Sequence, residues 1–276
     1  MIAIGKYNTL RIERFAPPGL YLEDEDGEEV LLPNRWITDD MKADDKLEVF
    51  IYKDSEDRII ATTENPYILR DEFGYLEVKQ VTPIGAFLDW GLDKDLLVPF
   101  KEQRAKMRES GRYLVYLYLD VETWRLSASA KIQKYIEIED IDLEEGEEVD
   151  LLICERTELG VKVIINNRYQ GLLYNNELFK EVRTGDKTTG YVKTIREDGK
   201  IDVALEKQGY KSVEPNAQRI LDLLAQNEGY LPLHDKSDPE KIKYQLGMSK
   251  KLFKKAIGSL YRDKKVVIEE EGIRLA

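Results

Sequence analysis

The sequence predicts a multidomain, mainly β protein: three tandem five-stranded barrels followed by an α+β domain of three helices and a β-ribbon. Three observations carry this expectation. At 276 residues the chain is long for one domain, and 42% hydrophobic with 35% charged residues can fill several small cores. One strand pattern recurs three times before residue 211. From residue 212 onward the apolar period changes from two to 3.6.

The first copy, in 1–66, runs NTLRIERFAPPGLYLEDEDGEEVLLPNRW and then DDKLEVFIYKDSEDRIIATTE. The second, in 71–131, runs GYLEVKQVTPIGAFLDWGLDKDLLVPFKEQ and then RYLVYLYLDVETWRLSAS. The third, in 146–210, runs VDLLICERTELGVKVIINNRYQGLLYNNEL and then GDKTTGYVKTIREDGKIDVALEK. Each reads as a strand, a Gly-bearing turn, a second strand and a short apolar third. A polar connection, a long fourth strand, a charged turn and a closing strand follow. EDGE (25–28) and EDGK (197–200) supply glycine where a hairpin needs positive φ. Five short antiparallel strands remove their edges by curling into a small barrel, for which the oligonucleotide-binding (OB) fold is the usual solution. Asn65-Pro66 ends the first copy, and the acidic stretch 131–148 connects the second to the third.

In 212–276 a helix begins near Pro215 and carries Ile220, Leu221 and Leu224 on one stripe, ending before Gly229. A second follows Ser237 or Asp238 as N-cap, with Pro239 in its first turn and Gly247 at its exit. Ser249 caps a third, and KVVIEE and GIRLA form a ribbon around Glu271-Gly272. Three helices and a ribbon make a winged helix. On the third helix, Lys250, Lys254, Lys251, Arg262 and Lys255 fall within an arc of about 140°, opposite an apolar arc of Leu252, Phe253, Ala256, Ile257 and Leu260. Residues 248–265 hold seven basic and one acidic residue in a chain of net charge −12. A single-sign face of this kind suits phosphates; it lacks an Asn or Gln for reading base edges.

Composition excludes much chemistry. One cysteine, Cys154, and one histidine, His234, cannot build a Cys/His zinc site and leave little for triad catalysis. No GxxxxGK[ST] loop occurs, so the expectation is a non-enzymatic protein without cofactor or metal. No apolar run reaches the 18 residues of a membrane span, the start lacks a secretory pattern, and a lone cysteine suits a cytoplasmic location. Residues 211–276 carry thirteen basic and ten acidic residues, the remainder 29 and 44, so the acid excess lies outside the last domain.

The middle copy resembles an S1-type RNA-binding domain through Gly85-Ala86-Phe87, Gly91, Leu96-Leu97-Val98-Pro99, Asp120 and Leu126-Ser127. The resemblance implies an RNA-facing patch of two aromatics, a histidine, an aspartate and a basic residue. Phe87 and Asp120 match it, while Ile84, Pro99 and Thr123 stand at the other positions. The first copy has Tyr21, Asp54 and Arg58 with Pro33 for the histidine; the third has Lys162, Tyr174 and Lys200. Alternation puts Tyr116, Tyr118 and Asp120 on one face of the fourth strand, either as a base-stacking platform or as cover for a neighbouring barrel. Trp90 and Trp124 read as packing residues. The loop KEQRAKMRESGR (101–112), with five basic and two acidic residues, reads either as a flank of the binding groove or as a solvated helix.

As a whole, three S1-like barrels and a winged helix resemble the conserved virulence factor B family, bacterial RNA-binding regulators. GAFLDWGLDKDLLVPFKEQ (85–103), GYVKTIREDGKID (190–202) and DKSDPEKIKYQLGMSKKLFKKAIGSLYRDKK (235–265) carry the likeness. It implies RNA binding shared by the barrels and the winged helix, and post-transcriptional influence on gene expression; the expected partner is single-stranded RNA and, with no dimerisation segment visible, the expected state is a monomer. The binding set is then Phe87, Tyr116, Tyr118, Asp120, Tyr21, Arg58, Lys200, Lys250, Lys251, Lys254, Lys255 and Arg262. Two alternatives stay open: a transcription factor holding duplex DNA through the winged helix, and a scaffold for ribosomal or nuclease partners.

Overall fold

Each recurring segment folds into five strands joined in one order. In this computed structural model, which describes residues 1–175, 178, 181–206 and 215–276, the chain divides into two compact units, Met1–Leu205 and Glu206–Ala276. The expected boundary between the third barrel and the winged helix, at 210–212, lies outside the described residues.

In the first copy β1 (Tyr7–Ala16), β2 (Gly19–Glu23), β3 (Glu29–Pro33), β4 (Lys46–Lys53) and β5 (Ile59–Thr62) close a barrel, sealed where β3 and β5 pair in parallel at Leu31 and Ile60. Period-two burial fills it: Leu10 and Ile12, Leu20 and Leu22, Val30 and Leu32 all point inward. The second strand of every copy starts with glycine because a Cβ at Gly19, Gly85 or Gly160 would lie 2.0, 2.4 or 2.2 Å from a carbonyl oxygen of the facing strand.

The middle copy has β6 (Phe73–Thr82), β7 (Gly85–Asp89), β8 (Leu96–Pro99), β9 (Arg112–Asp120) and β10 (Arg125–Ser129), in the order β10-β9-β6-β7-β8. Here β8 and β10 come together at the ends of the strand order, as β3 and β5 do in the first barrel, but no hydrogen-bonded ladder seals them. Ser127, opposite Tyr118, takes the place that the buried Ile60, opposite Tyr52, holds in the first barrel, so the seam lacks that apolar side chain. The end of β10 is tied instead to the turn after β8: Ala130 N donates to Glu102 O at 2.9 Å, and Ser129 Oγ donates to the Glu102 carboxylate at 2.6 Å. The basic loop beyond is not helical after a short turn at Phe100–Glu102; it is pinned by buried Gln103 and Met107, with Gln103 Nε2 donating to Val98 O and its Oε1 accepting from Met107 N.

The third copy closes again: β11 (Glu148–Arg156), β12 (Gly160–Ile165), β13 (Tyr169–Tyr174), β14 (Lys187–Ile195) and β15 (Ile201–Ala204), with β13 and β15 parallel at the seam. The first barrel and the middle sheet share one continuous apolar core. Trp90, 2% exposed, stands edge-on to Phe50 and Tyr52 across that boundary. A separate cluster around Phe73, Ile132, Leu152, Cys154 and Ile164 joins the middle sheet to the third barrel.

In the second unit α1 (Pro215–Gln226), α2 (Pro239–Leu246) and α3 (Lys250–Arg262) pack on β17 (Val266–Ile268) and β18 (Ile273–Leu275), joined by a further strand, β16 (Tyr230–Leu231), that the sequence does not suggest. The caps follow expectation: Asp238 accepts from Glu240 N, Gly247 takes φ 63°, and Ser249 accepts from Leu252 N. Leu252 departs from the expected apolar stripe. It lies at the edge of the arc and is 42% exposed, while Phe253, Ala256, Ile257 and Leu260 are buried. Among the described residues no helix is long and apolar enough to cross a membrane.

Candidate nucleic-acid interface

Beside the β8–β10 seam lies a cleft of about 240 Å³ lined by Ile84, Phe87, Leu97, Ser127, Lys94 and Arg125 among others. Phe87 is half-buried on β7 and Ile84 is exposed at the turn before it, so the two offer an apolar wall to the cleft. The opposite wall comes from the first barrel through Tyr52, Lys53 and Asp57. Asp57 meets Arg125 in an ion pair and lies 3.7 Å from Lys94. The Arg125 guanidinium holds the Asp57 carboxyl below the usual carboxylate range, whereas burial pulls the Lys94 ammonium down despite Asp57. Three cations against Asp57 and Asp95 leave only a small positive excess, so this cleft suits a flat apolar ring more than a bare phosphate.

The two tyrosines of β9 are placed otherwise than a stacking platform requires. Tyr116 stacks on Tyr135 with centroids 4.0 Å apart and tilts against Phe73 at 4.7 Å, and Tyr118 stacks on Tyr135 at 5.9 Å. Tyr135 belongs to a short turn (Ile132–Tyr135) within the acidic connector, so the ring faces are taken up inside the chain. Burial pushes both phenols up to about 12. Asp120 is a turn builder: its Oδ1 accepts from Glu122 N and Thr123 N, and those amides hold its carboxyl low. In the same turn Trp124 reverses the packing expectation, standing 56% exposed with φ 53° beside Arg125 of the cleft wall.

In the first barrel Arg14 lies over the Tyr21 ring at 3.8 Å and is itself held by Glu29. Arg58 donates twice to Asp54, which also caps its own turn through Glu56 N and Arg58 N. In the third barrel Lys200 donates to Asp198 at 2.6 Å, and Lys162 faces Glu155 at 3.7 Å. Arg196, which no sequence motif singles out, bonds both Tyr174 and Asp202. Both barrels thus meet most of their own charges at the positions equivalent to the Phe87 cleft.

On α3 the opposite holds. Lys251, Lys254, Lys255 and Arg262 are exposed, and among the described residues Lys251, Lys254 and Arg262 make no ion pair. Lys250 is half-buried and donates to Lys236 O at 3.2 Å. Tyr261, 57% exposed, falls within the same arc, about 20° from Lys250. Its residue type carries no signal in the sequence, because an aromatic in an amphipathic helix normally belongs to the core.

The CvfB-like winged helix domain profile matches residues 218–275 and the S1 domain profile residues 4–64. The S1 match thus falls on the first barrel, although the S1-like motif residues are most complete in the middle copy. Uncharacterized protein YitL of Bacillus subtilis is 31% identical over 276 residues, covering 96% of this chain and 91% of that protein. Conserved virulence factor B of Staphylococcus aureus is 27% identical over 282 residues, covering 99% and 94%. The chain belongs to the conserved virulence factor B family. A solved Streptococcus pneumoniae structure, described as a multidomain protein with nucleic acid binding domains, is 23% identical over 99% of this chain and 98% of its own, with a TM-score of 0.41. For this member of the virulence factor B family, the S1 and winged-helix modules are nucleic-acid-binding types; of the residues the sequence singles out, Phe87 lines a cleft, and Lys251, Lys254 and Arg262 make no ion pair among the described residues.

Proposed function

We propose that this chain is a monomeric, cytoplasmic RNA-binding regulator that acts post-transcriptionally on gene expression. Single-stranded RNA is held by bases stacked in the Phe87 cleft and by phosphates on the α3 face. The tandem S1-like arrangement serves mainly to present that cleft. The observation that carries the reading is the α3 face, where Lys251, Lys254 and Arg262 stand exposed and, among the described residues, without an ion pair, in a chain of net charge −12. An acidic protein keeps an unneutralised cationic face where an anionic partner covers it. RNA is favoured over duplex DNA because an OB-type cleft accepts an unstacked base, and because α3 carries no Asn or Gln to read a major groove.

Fluorescence anisotropy with a labelled single-stranded RNA and a duplex DNA of the same sequence, at about 50 and 200 mM salt, tests this. RNA should bind more tightly, and a grip on four phosphates would cost roughly 50-fold in affinity over that range. Phe87→Ala should weaken RNA by roughly 5- to 100-fold through the loss of stacking while leaving the salt slope unchanged. Lys251→Gln with Lys254→Gln should flatten the slope. Duplex preference that disappears only with the lysines would favour a DNA-binding factor, and no binding of either probe would overturn the reading.

A further inference from the structure

At the centre of the α3 basic face stands Gly258, the ninth of thirteen helical residues. Glycine inside a helix is unfavourable by roughly 1 kcal/mol against alanine, so a mid-helix glycine calls for a reason. Packing does not supply one: among the described residues, a Cβ placed at Gly258 would meet no atom within 4 Å beyond its chain neighbours and its own helix backbone. The backbone does not need it either, because Gly258 is absent from the residues with positive φ. What surrounds the position on the helix surface is specific. Lys254 and Arg262 lie one turn to either side at four residues, Lys255 and Tyr261 at three, and Lys251 two turns back. The single bare spot on the helix is therefore ringed by cations and one exposed aromatic.

Resting on the RNA-binding reading above, we infer that Gly258 is a close-approach notch for the sugar–phosphate backbone of single-stranded RNA on α3. A phosphate seated over the Cα reaches the helix surface, where Lys254 and Arg262 converge on it from opposite turns. The Gly258 amide is committed inside the helix, so the side chains hold the phosphate and the absent Cβ supplies depth. Tyr261, on the same arc, offers its ring to the base or ribose attached to that phosphate. An acidic protein segment would meet the same cations, but its carboxylates sit at the ends of side chains and gain little from a notch one methyl group deep.

The test sets stability against binding in the full-length chain. Gly258→Ala should raise the Tm of the winged-helix transition by a few degrees, from helix propensity alone. The same variant should weaken binding of a labelled single-stranded RNA by about tenfold, the scale of removing one charge-assisted hydrogen bond. Gly258→Gln, longer and equally helical, should weaken it further, again without a fall in Tm. A rise in Tm with unchanged RNA affinity for both variants would overturn the notch. If Lys254→Gln and Arg262→Gln still weakened RNA in that case, the RNA-binding reading itself would stand. A fall in Tm for Gly258→Ala would also overturn the notch, by showing that glycine serves the fold. If none of these variants changed RNA affinity, the role of α3 in the proposed function would fail together with the notch.

Discussion

At the scale of single residues, the three charged hairpins hold one comparable position in left-handed backbone. It is filled by Asp57 with φ 63°, Gly199 with φ 75° and Trp124 with φ 53°. Aspartate and glycine tolerate that region, whereas a bulky side chain there costs about 1–2 kcal/mol. Trp124 gains little packing in return, being more than half exposed, with Val121 at 80% exposure in the same turn. On the RNA-binding proposal, an exposed ring held in that backbone, one residue before Arg125 of the cleft lining, is placed to stack on a base. Trp124→Asn, which restores a side chain suited to that backbone, should hold or raise Tm while weakening RNA by roughly 5- to 100-fold. It should also abolish quenching of tryptophan fluorescence by RNA, because Trp90 is buried and Trp36 is only 9% exposed. Unchanged affinity and quenching would return Trp124 to the ordinary surface.

At the scale of elements, the junction between the middle sheet and the third barrel is a stack of tyrosines, and its chemistry sets a pH limit. Tyr116 and Tyr118 ionise near 12 in the folded chain because burial disfavours the phenolate, against about 10 when unfolded. A raised folded pKa makes their contribution to stability complete below pH 10 and lost as pH rises toward 12. Unfolding temperature should therefore stay level to about pH 10 and then fall, with Tyr118→Phe making the fall shallower and removing part of the late tyrosinate absorbance rise. Alternation in RYLVYLYLD is enough to put Tyr116 and Tyr118 on one face, but not to say what covers it. The cover is Tyr135, from a connector whose acidity suggests a solvated linker. The five strands of each copy, the hairpin turns and the helix caps were legible because each is written in a local run of residues. The missing ladder at the seam of the middle copy was not. It depends on Ser127 at the seam and on the tie from Ala130 to Glu102, contacts between segments more than twenty residues apart. Tyr21, Asp54, Arg58 and Lys200 were legible as residue types at family positions, but not that Arg14, Asp54 and Asp198 pair with Tyr21, Arg58 and Lys200.

At the scale of the whole molecule, the charge is divided so that the acidic part and the basic part do different work. The 44 acidic residues outside the last domain repel a polyanion, and the α3 face attracts it, so neither surface is expected to bind strongly alone. The Phe87 cleft offers stacking with little charge, and α3 offers charge with one aromatic. An RNA strand long enough to engage both gains from effective concentration, since the second contact becomes intramolecular. Affinity measured against RNA length should therefore show a step once the strand spans both surfaces, of the order of 10²-fold. It should not rise merely in proportion to the number of binding registers. The step should vanish in Phe87→Ala and in the Lys251→Gln, Lys254→Gln, Arg262→Gln variant alike, although each keeps one surface intact. A smooth, proportional rise in the wild type would mean that the two surfaces act on separate strands, because only simultaneous engagement of one strand multiplies the two weak affinities.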